Sequence, residues 1–135
     1  MYLLDTDTVS GIMHQRPGLR LEPKLASTPD ALQYTSSITV GEIIYGAHKK
    51  PERTEYLIQL LEQEILTVLR ILPFDEDAAR IYGPLRLDLE RRGRVIGEPD
   101  TRIAAIALSH NLTVVTGNTR HFERIPGLSV ENWLL

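Results

Sequence analysis

Apolar and polar positions follow two patterns along this chain. Short apolar runs predict strands, and longer segments in which apolar side chains recur every three or four positions predict helices. The predicted strands occupy residues 2–4, 34–38, 69–72, 112–115 and 128–130, the last as an edge strand. Because strands and helices alternate, we expect a single α/β domain over residues 1–135, with a mainly parallel sheet of four or five strands flanked by helices.

Turn and capping residues set the bounds of the predicted helices. A weakly helical segment should extend from residue 6 to about Gln15, and a short helix is expected around Leu25, among residues broken up by Pro17, Gly18, Pro23 and Pro29. Further helices are expected at residues 39–47, 51–68, 75–92 and 99–109. Gly93 and Asn111 should end the last two, and the pair Gly83-Pro84 predicts a kink.

Composition narrows the classes of function. The chain has 135 residues, of which 42% are apolar and 24% charged, which suits one domain with its own core. It has no Cys, and this excludes thiol catalysis, zinc–thiolate sites and iron–sulfur clusters. No apolar run approaches the ~20 residues of a membrane span, and two early carboxylates do not fit a signal peptide. We therefore expect a cytoplasmic protein that does not associate with membranes.

The charge balance is slightly acidic. Lys and Arg number 15 against 18 for Asp and Glu, a net charge of −3, so the broad basic surface of many nucleic-acid-binding proteins is missing. Seven Arg and five acids lie between Arg86 and Arg124, which makes that stretch mildly basic. A solvated helical face explains most of it. Any polyanionic ligand would need a local binding feature.

Polar side chains follow three of the predicted strands. Asp5 and Asp7 come after the first strand, Glu42 after the second, and Thr116 with Asn118 after the fourth. The carboxyl ends of parallel strands meet at one edge of a sheet, where sites usually form. Asp100 begins a helix, and apolar residues follow it at three, four and seven positions, which places it on the inward face.

Each acid also has a structural explanation. Glu42 completes a capping-box pattern with Thr39, Asp7 could cap a helix, and Asp100 could interact with a helix dipole. Asp5 is harder to explain in this way, because a carboxylate at the end of a buried strand needs a partner. If Asp5, Glu42 and Asp100 converge, their repulsion of roughly 4 kcal/mol per close pair requires a counter-charge. Oxygen ligands without Cys or paired His favour Mg²⁺ or Mn²⁺.

Four blocks of sequence cover nearly the whole chain in a specific order and spacing. They are YLLDTDTVS at residues 2–10, SSITVGEIIYGA at 36–47, IGEPDTRIAAIALSHNLTVVTGNTRHF at 96–122 and IPGLSVENWL at 125–134. Together they resemble the PIN-domain ribonucleases, and specifically the VapC-type toxins of bacterial toxin–antitoxin pairs. The fold that this resemblance implies is a PIN-like domain.

The resemblance also implies roles for residues. It assigns metal binding to Asp5, Glu42 and Asp100, and it places Asn118 at the family's fourth acidic position, where an amide oxygen replaces a carboxylate. Thr6 and Thr116 would hold a water or a ligand. The implied activity is Mg²⁺- or Mn²⁺-dependent endonucleolytic hydrolysis of RNA such as tRNA, leaving a 5′-phosphate and a 3′-hydroxyl. The implied partners are a cognate antitoxin and a second copy of the chain. RNA contacts would come from Arg92, Arg94, Arg120 or Arg124.

Two other functions stay open at this point. The run from Asp5 to Asp7 after a strand also resembles haloacid-dehalogenase-type phosphatases, but these need a later Lys and none follows Lys50. A non-catalytic PIN-like binding module is the other alternative, supported by Asn118 alone. The four His show no zinc spacing and are expected at the surface, with His121 close to the predicted site. The apolar stripe Leu57, Leu60, Leu61 and Ile65 fits core packing better than an antitoxin surface.

Overall fold

Five parallel strands form the centre of the molecule. The structure, a computed structural model, describes residues 1–14 and 21–133. Its strands are β1 (Tyr2–Leu4), β2 (Gln33–Ser36), β3 (Arg70–Leu72), β4 (Thr113–Val115) and β5 (Val130–Glu131). They pair in the order β3-β2-β1-β4-β5, and every pairing is parallel. The predicted α/β fold with a parallel sheet is confirmed.

Helices connect these strands. They are α1 (Thr6–Met13), α2 (Leu21–Ser27), α3 (Ser37–His48), α4 (Thr54–Leu60), α5 (Glu76–Arg91), α6 (Glu98–His110) and α7 (Thr119–Glu123). Short 3₁₀ turns lie at Asp30–Leu32 and Pro51–Arg53, and a wider π-type turn at Leu61–Ile65 extends α4. The helix expected around Leu25 is α2. The predicted end of α1 at Gln15, the breakers Pro17 and Gly18, and Leu134 lie outside the described residues.

The predicted helix boundaries after residue 70 are close to those of the structure. Asp75 caps α5 by accepting the Ala78 N–H, and Gly93 follows the helix with a positive φ of 64°. Asn111 ends α6 in the left-handed conformation, with φ of 55°. The edge strand β5 begins at Val130, two residues later than predicted, after a turn at Gly127 with φ of 79°. Helix α7 is absent from the elements that the sequence pattern predicts.

The boundary between β2 and α3 differs from the prediction. The strand ends at Ser36 and the helix begins at Ser37, two residues before Thr39. The reason is that the Ser36 hydroxyl accepts the Thr39 N–H at 3.0 Å, which makes Ser36 the N-cap. The predicted capping box between Thr39 and Glu42 is therefore wrong, and Glu42 lies in the second turn of α3.

The sheet is covered by apolar side chains on both faces. Successive residues of a strand point to opposite faces, and Leu3 and Leu4 of β1 accordingly belong to two separate core clusters. Leu3 packs with side chains of α5 and α6, and Leu4 packs with side chains of α1 and the Leu61–Ile65 turn. Both leucines are completely buried. This double cover fixes the carboxyl end of β1, where Asp5 follows.

The apolar stripe after Pro51 belongs mainly to the core. Leu57, Leu61 and Ile65 are buried, and Leu60 packs against the same cluster. Val68, which the pattern also assigned to that helix, follows the last turn and is 41% exposed. The preference for core packing over a partner surface is confirmed for the three buried residues. Within the described residues no helix is long and apolar enough to span a membrane.

Candidate metal centre

Carboxylates from three parts of the chain line one cavity beyond the end of β1. Asp5 follows the strand, Asp7 lies in the first turn of α1, Glu42 in α3 and Asp100 in the first turn of α6. The cavity has a volume of about 220 Å³, and Thr6, Ile96 and Pro99 complete its wall. Three of the four sequence-predicted site residues are thus brought together, with Asp7 beside them. Asn118 does not line this cavity.

Asp5 is the most buried of these acids. Its side chain caps α1 by accepting the Thr8 N–H at 2.9 Å, so the cap that was expected of Asp7 is formed by Asp5. Burial raises the pKa of Asp5 to about 6, although hydrogen bonds from Thr116 and Thr8 act in the opposite direction. These hydrogen-bonding partners are neutral, so they leave the charge of an ionised Asp5 uncompensated.

Glu42 reaches the cavity because α3 starts directly at the end of β2. The Ser36 cap fixes the first turn of α3. The Thr39 hydroxyl in that turn lies 3.2 Å from the hydroxyl of Thr6 in α1. This contact joins the two helices that carry Glu42 and Asp7. The family resemblance implies that Thr6 holds a water or a ligand, and in the structure its hydroxyl links α1 to α3.

Asp100 lies on the inward face of α6. Ile103, Ala104 and Ala107 of the same helix are completely buried, as the spacing predicts. Burial raises the pKa of Asp100, a contact with His121 lowers it, and the charges of Asp7 and Glu42 raise it. The carboxylates of the cavity therefore interact electrostatically, and at least two of them hold their protons more tightly than an exposed acid does.

Asn118 is connected to Asp100 through His121. The side-chain nitrogen of Asn118 lies 3.0 Å from His121 Nδ1, and the same Nδ1 lies 3.3 Å from Asp100 Oδ2. Thr116 accepts the Asn118 N–H at 2.9 Å, which sets the turn before α7. Asn118 is therefore connected to the acidic cavity through His121. The sequence placed His121 near the site but assigned it no role, because no motif pairs it with Asp100.

One Nδ1 atom cannot serve both neighbours in the same way. When Nδ1 carries a hydrogen it donates to Asp100 and cannot accept from the Asn118 amide N–H. When Nδ1 carries none it accepts from Asn118, and its lone pair then faces the Asp100 carboxylate. His121 Nδ1 can therefore hydrogen-bond to only one of Asp100 and Asn118 at a time.

The donor set fits a hydrated divalent ion. In the described part of the chain, no three carboxylates or imidazoles lie close enough together to coordinate one ion directly. Mg²⁺ commonly keeps several waters and binds one or two carboxylates, which this arrangement allows. Each water takes about 30 Å³. The cavity of about 220 Å³ therefore has room for an ion with several waters, and its buried, uncompensated Asp5 favours a cation.

Comparison with known proteins gives consistent matches over nearly the whole chain. A sequence family described as PIN domain matches residues 2–128. The chain is 37% identical over 135 residues to ribonuclease VapC2 of Haemophilus influenzae, covering 98% of each chain. It is 37% identical over 134 residues to the tRNA(fMet)-specific endonuclease VapC of Salmonella typhimurium, covering 98% of this chain and 97% of that one.

The fold is also similar to solved structures. The crystal structure of DNA-bound VapBC from Salmonella typhimurium superimposes with a TM-score of 0.83 at 37% sequence identity, covering 98% of this chain and 97% of that one. The structure of VapBC-1 from nontypeable Haemophilus influenzae gives a TM-score of 0.86 at 31% identity, covering 99% of this chain and 98% of that one.

Proposed function

The chain belongs to the PIN-domain family, and from this premise we propose that it is an endoribonuclease that serves as the toxin of a toxin–antitoxin pair. The observation that supports this proposal most strongly is the shared cavity of Asp5, Asp7, Glu42 and Asp100 at the end of β1. Its relatives are named as ribonucleases and a tRNA endonuclease, which favours this function over a phosphatase or a binding module without activity.

Dependence on a divalent metal ion is general in this family, and we propose Mg²⁺ or Mn²⁺ for this chain. Asp5 and Asp100 would hold the ion directly, and Glu42 would hold it through water. When bound, such an ion neutralises charge on the phosphate that is cleaved and lowers the pKa of an attacking water. Oxygen ligands without thiols or paired imidazoles are the set that these two ions prefer.

The chain's own residues contribute preorganisation. The Thr8 N–H and the Thr116 hydroxyl hold Asp5 in one orientation, and the Thr8 hydroxyl donates to the Val115 carbonyl oxygen at 3.0 Å. His121 Nδ1, at 3.3 Å from Asp100 Oδ2, orients the Asp100 carboxylate. Acids fixed in this way need little rearrangement when a phosphodiester enters, which is how positioned charges favour the transition state. The products would be a 5′-phosphate and a 3′-hydroxyl.

The substrate and partners are part of the same proposal. A relative is named for its action on tRNA(fMet), so a structured RNA such as tRNA is the first substrate to test. Similar chains are solved as VapBC complexes, so we propose a cognate antitoxin as partner. A homodimer and a cytoplasmic location complete the proposal.

The test is cleavage of total RNA by the purified protein. Samples with Mg²⁺, with Mn²⁺ and with EDTA should be compared, and the cut ends should be mapped by sequencing. We expect cleavage only with metal, and its loss in Asp5→Asn and in Asp100→Asn. Asp77→Asn is the matched control, because Asp77 is exposed in the first turn of α5. Activity that survives EDTA or both active-site substitutions would contradict the proposal.

A further inference from the structure

A second cavity, which carries positive charge, lies next to α7. It has a volume of about 420 Å³ and is lined by Arg94, Arg120, Glu123 and Arg124. We call it the arginine cavity. Arg120 and Arg124 are four residues apart on α7 and at its end, so they share a face, and Arg94 comes from the segment that follows α5. All three are among the four arginines expected from the sequence to contact RNA, and the fourth, Arg92, does not line the cavity.

The arginines of this region differ in what their guanidinium groups contact. Arg92 pairs with Asp88 at 2.6 Å and donates to the backbone oxygen of Arg124 at 3.1 Å. Arg124 donates to the backbone oxygen of Val95 at 3.0 Å. Among the described residues, the guanidinium groups of Arg94 and Arg120 make no hydrogen bond or ion pair. Arg124 is therefore held in the wall by its own contact and that of Arg92, and Arg94 and Arg120 are left to contact a ligand.

The charges in the arginine cavity are unbalanced. Three guanidinium groups face one carboxylate, that of Glu123. This is the reverse of the acidic cavity, and the excess charge in each is relieved by a ligand of opposite sign. A planar guanidinium donates two parallel hydrogen bonds to a phosphate or carboxylate, so the expected ligand here is an oxyanion.

The position of the arginine cavity relates it to the acidic cavity. Helix α7 has only five residues, and it carries both His121, which contacts Asp100, and Arg120, which lines the arginine cavity. Adjacent residues of a helix point about 100° apart. Helix α7 therefore links the arginine cavity, through Arg120, to Asp100 of the acidic cavity, through His121.

We propose that the arginine cavity binds a phosphodiester group of the RNA substrate, other than the one that is cleaved, through Arg94 and Arg120. This inference rests on the proposed nuclease function and names part of its substrate-binding surface. An RNA strand suits both cavities, because its scissile phosphate would lie at the ion held by the acids and another of its phosphates at the arginines. With a net charge of −3, the chain needs such a local site to retain a polyanion.

The test measures RNA binding without hydrolysis. A fluorescein-labelled, single-stranded oligouridylate is titrated with protein in EDTA at several salt concentrations, and binding is followed by anisotropy. The variant is Arg94→Gln/Arg120→Gln. The control is Arg70→Gln/Arg80→Gln, which removes the same charge at two exposed positions on β3 and the start of α5. Arg94→Lys/Arg120→Lys keeps the charge and removes the planar group.

We expect the Gln variant to bind roughly tenfold more weakly than the control at low salt. Its salt slope should be shallower by about 0.7 for each RNA phosphate that is no longer neutralised. The Lys variant should keep the wild-type slope. In Mg²⁺, KM for unfractionated tRNA should rise roughly tenfold while kcat changes by less than about twofold. The reason is that the lost contacts stabilise the bound substrate and the transition state equally. Unfolding midpoints of all variants should match.

Equal RNA affinity and equal salt slope in the Gln variant and its control would overturn this inference. A variant that keeps its RNA affinity but no longer forms the complex with the antitoxin would overturn it as well, because the cavity would then serve a protein. Wild-type protein that binds the oligouridylate but cleaves no RNA would contradict the nuclease function and leave the binding result intact.

Discussion

His121 Nδ1 lies 3.3 Å from Asp100 Oδ2, and this contact joins α7 to the carboxylate in the first turn of α6. Asp100 is partly buried, and the contact opposes the effect of burial on its pKa. His121 is therefore a positioning residue for the candidate metal centre. Its removal should affect metal binding before it affects folding, because α7 is anchored separately by the buried Phe122.

His121→Ala should lower both Mn²⁺ affinity and the cleavage rate by roughly 10- to 100-fold, the usual effect of removing a group that orients a metal ligand. His121→Asn should restore part of both, because its amide N–H can occupy the place of Nδ1. Isothermal titration with Mn²⁺ and initial cleavage rates measure the two effects. His110→Ala, at an exposed position of α6, is the control. Equal affinity in His121→Ala and wild type would show that the contact has no positioning role.

Asp5 should make the metal-free protein less stable as pH rises. The pKa of Asp5 is about 6 in the folded protein, above the ordinary value of 3.8 that applies to the unfolded chain. The folded protein therefore binds this proton more tightly than the unfolded chain does. The free energy of unfolding should therefore fall between about pH 4 and about pH 6, by about 3 kcal/mol at most. Asp5→Asn keeps an N-cap for α1 and removes the charge, so it should lack this fall.

Urea unfolding in EDTA at several pH values measures this effect. At neutral pH Asp5→Asn should be more stable than wild type while it is inactive on RNA. The difference between the two proteins isolates Asp5 from the other acids. Parallel pH profiles of wild type and Asp5→Asn would mean that Asp5 has an ordinary pKa and that the cavity does not favour a cation.

Activation by metal should weaken in acid. Below about pH 6 a proton competes with the ion for Asp5, and burial raises the pKa of Asp100 in the same direction. The Mn²⁺ concentration for half-maximal cleavage should rise about tenfold for each pH unit below that value. Rates measured over a Mn²⁺ series at each pH test this expectation. A half-maximal concentration that stays constant down to about pH 5 would contradict it.

Ser36→Ala should destabilise the fold with little effect on the chemistry. The Ser36 hydroxyl caps α3 at 3.0 Å, and removal of such a cap costs about 1 kcal/mol. Glu42 lies in the second turn, so cleavage should stay within about threefold of wild type once the protein is folded. Urea unfolding with an activity assay on the same samples separates the two effects. Ser27→Ala, at an exposed position of α2, should change neither.

The sequence predicts the site better than it predicts the local contacts that hold it. Asp5 and Asp100 could be found because each breaks a pattern: one is a charge at the end of a buried strand, the other a charge on an apolar helix face. Both cues are local in sequence. Whether Glu42 lies close to them depends on which strands are neighbours in the sheet. The alternation of strands and helices predicts a shared edge of the sheet but not the order of its strands.

The contacts that the sequence missed are of two kinds. At the start of α3, Ser36 and Thr39 are both good caps, and the choice between them is made by where β2 stops pairing with β3, at Ser36 and Leu72. His121 and Asp100 are twenty-one positions apart, so no periodicity joins them. Contacts between residues so far apart depend on tertiary packing, and the spacing of residues in a single sequence does not predict them.

The central position of β1 in the sheet determines when the site can form during synthesis of the chain. Its strand pairs with β2 on one side and β4 on the other, and the Asp5 N–H donates to the Val115 carbonyl at 3.1 Å. On the ribosome, the edge of the sheet that carries Asp5 therefore cannot assemble until residues 113–115 have been synthesised, more than one hundred positions after the strand that it extends.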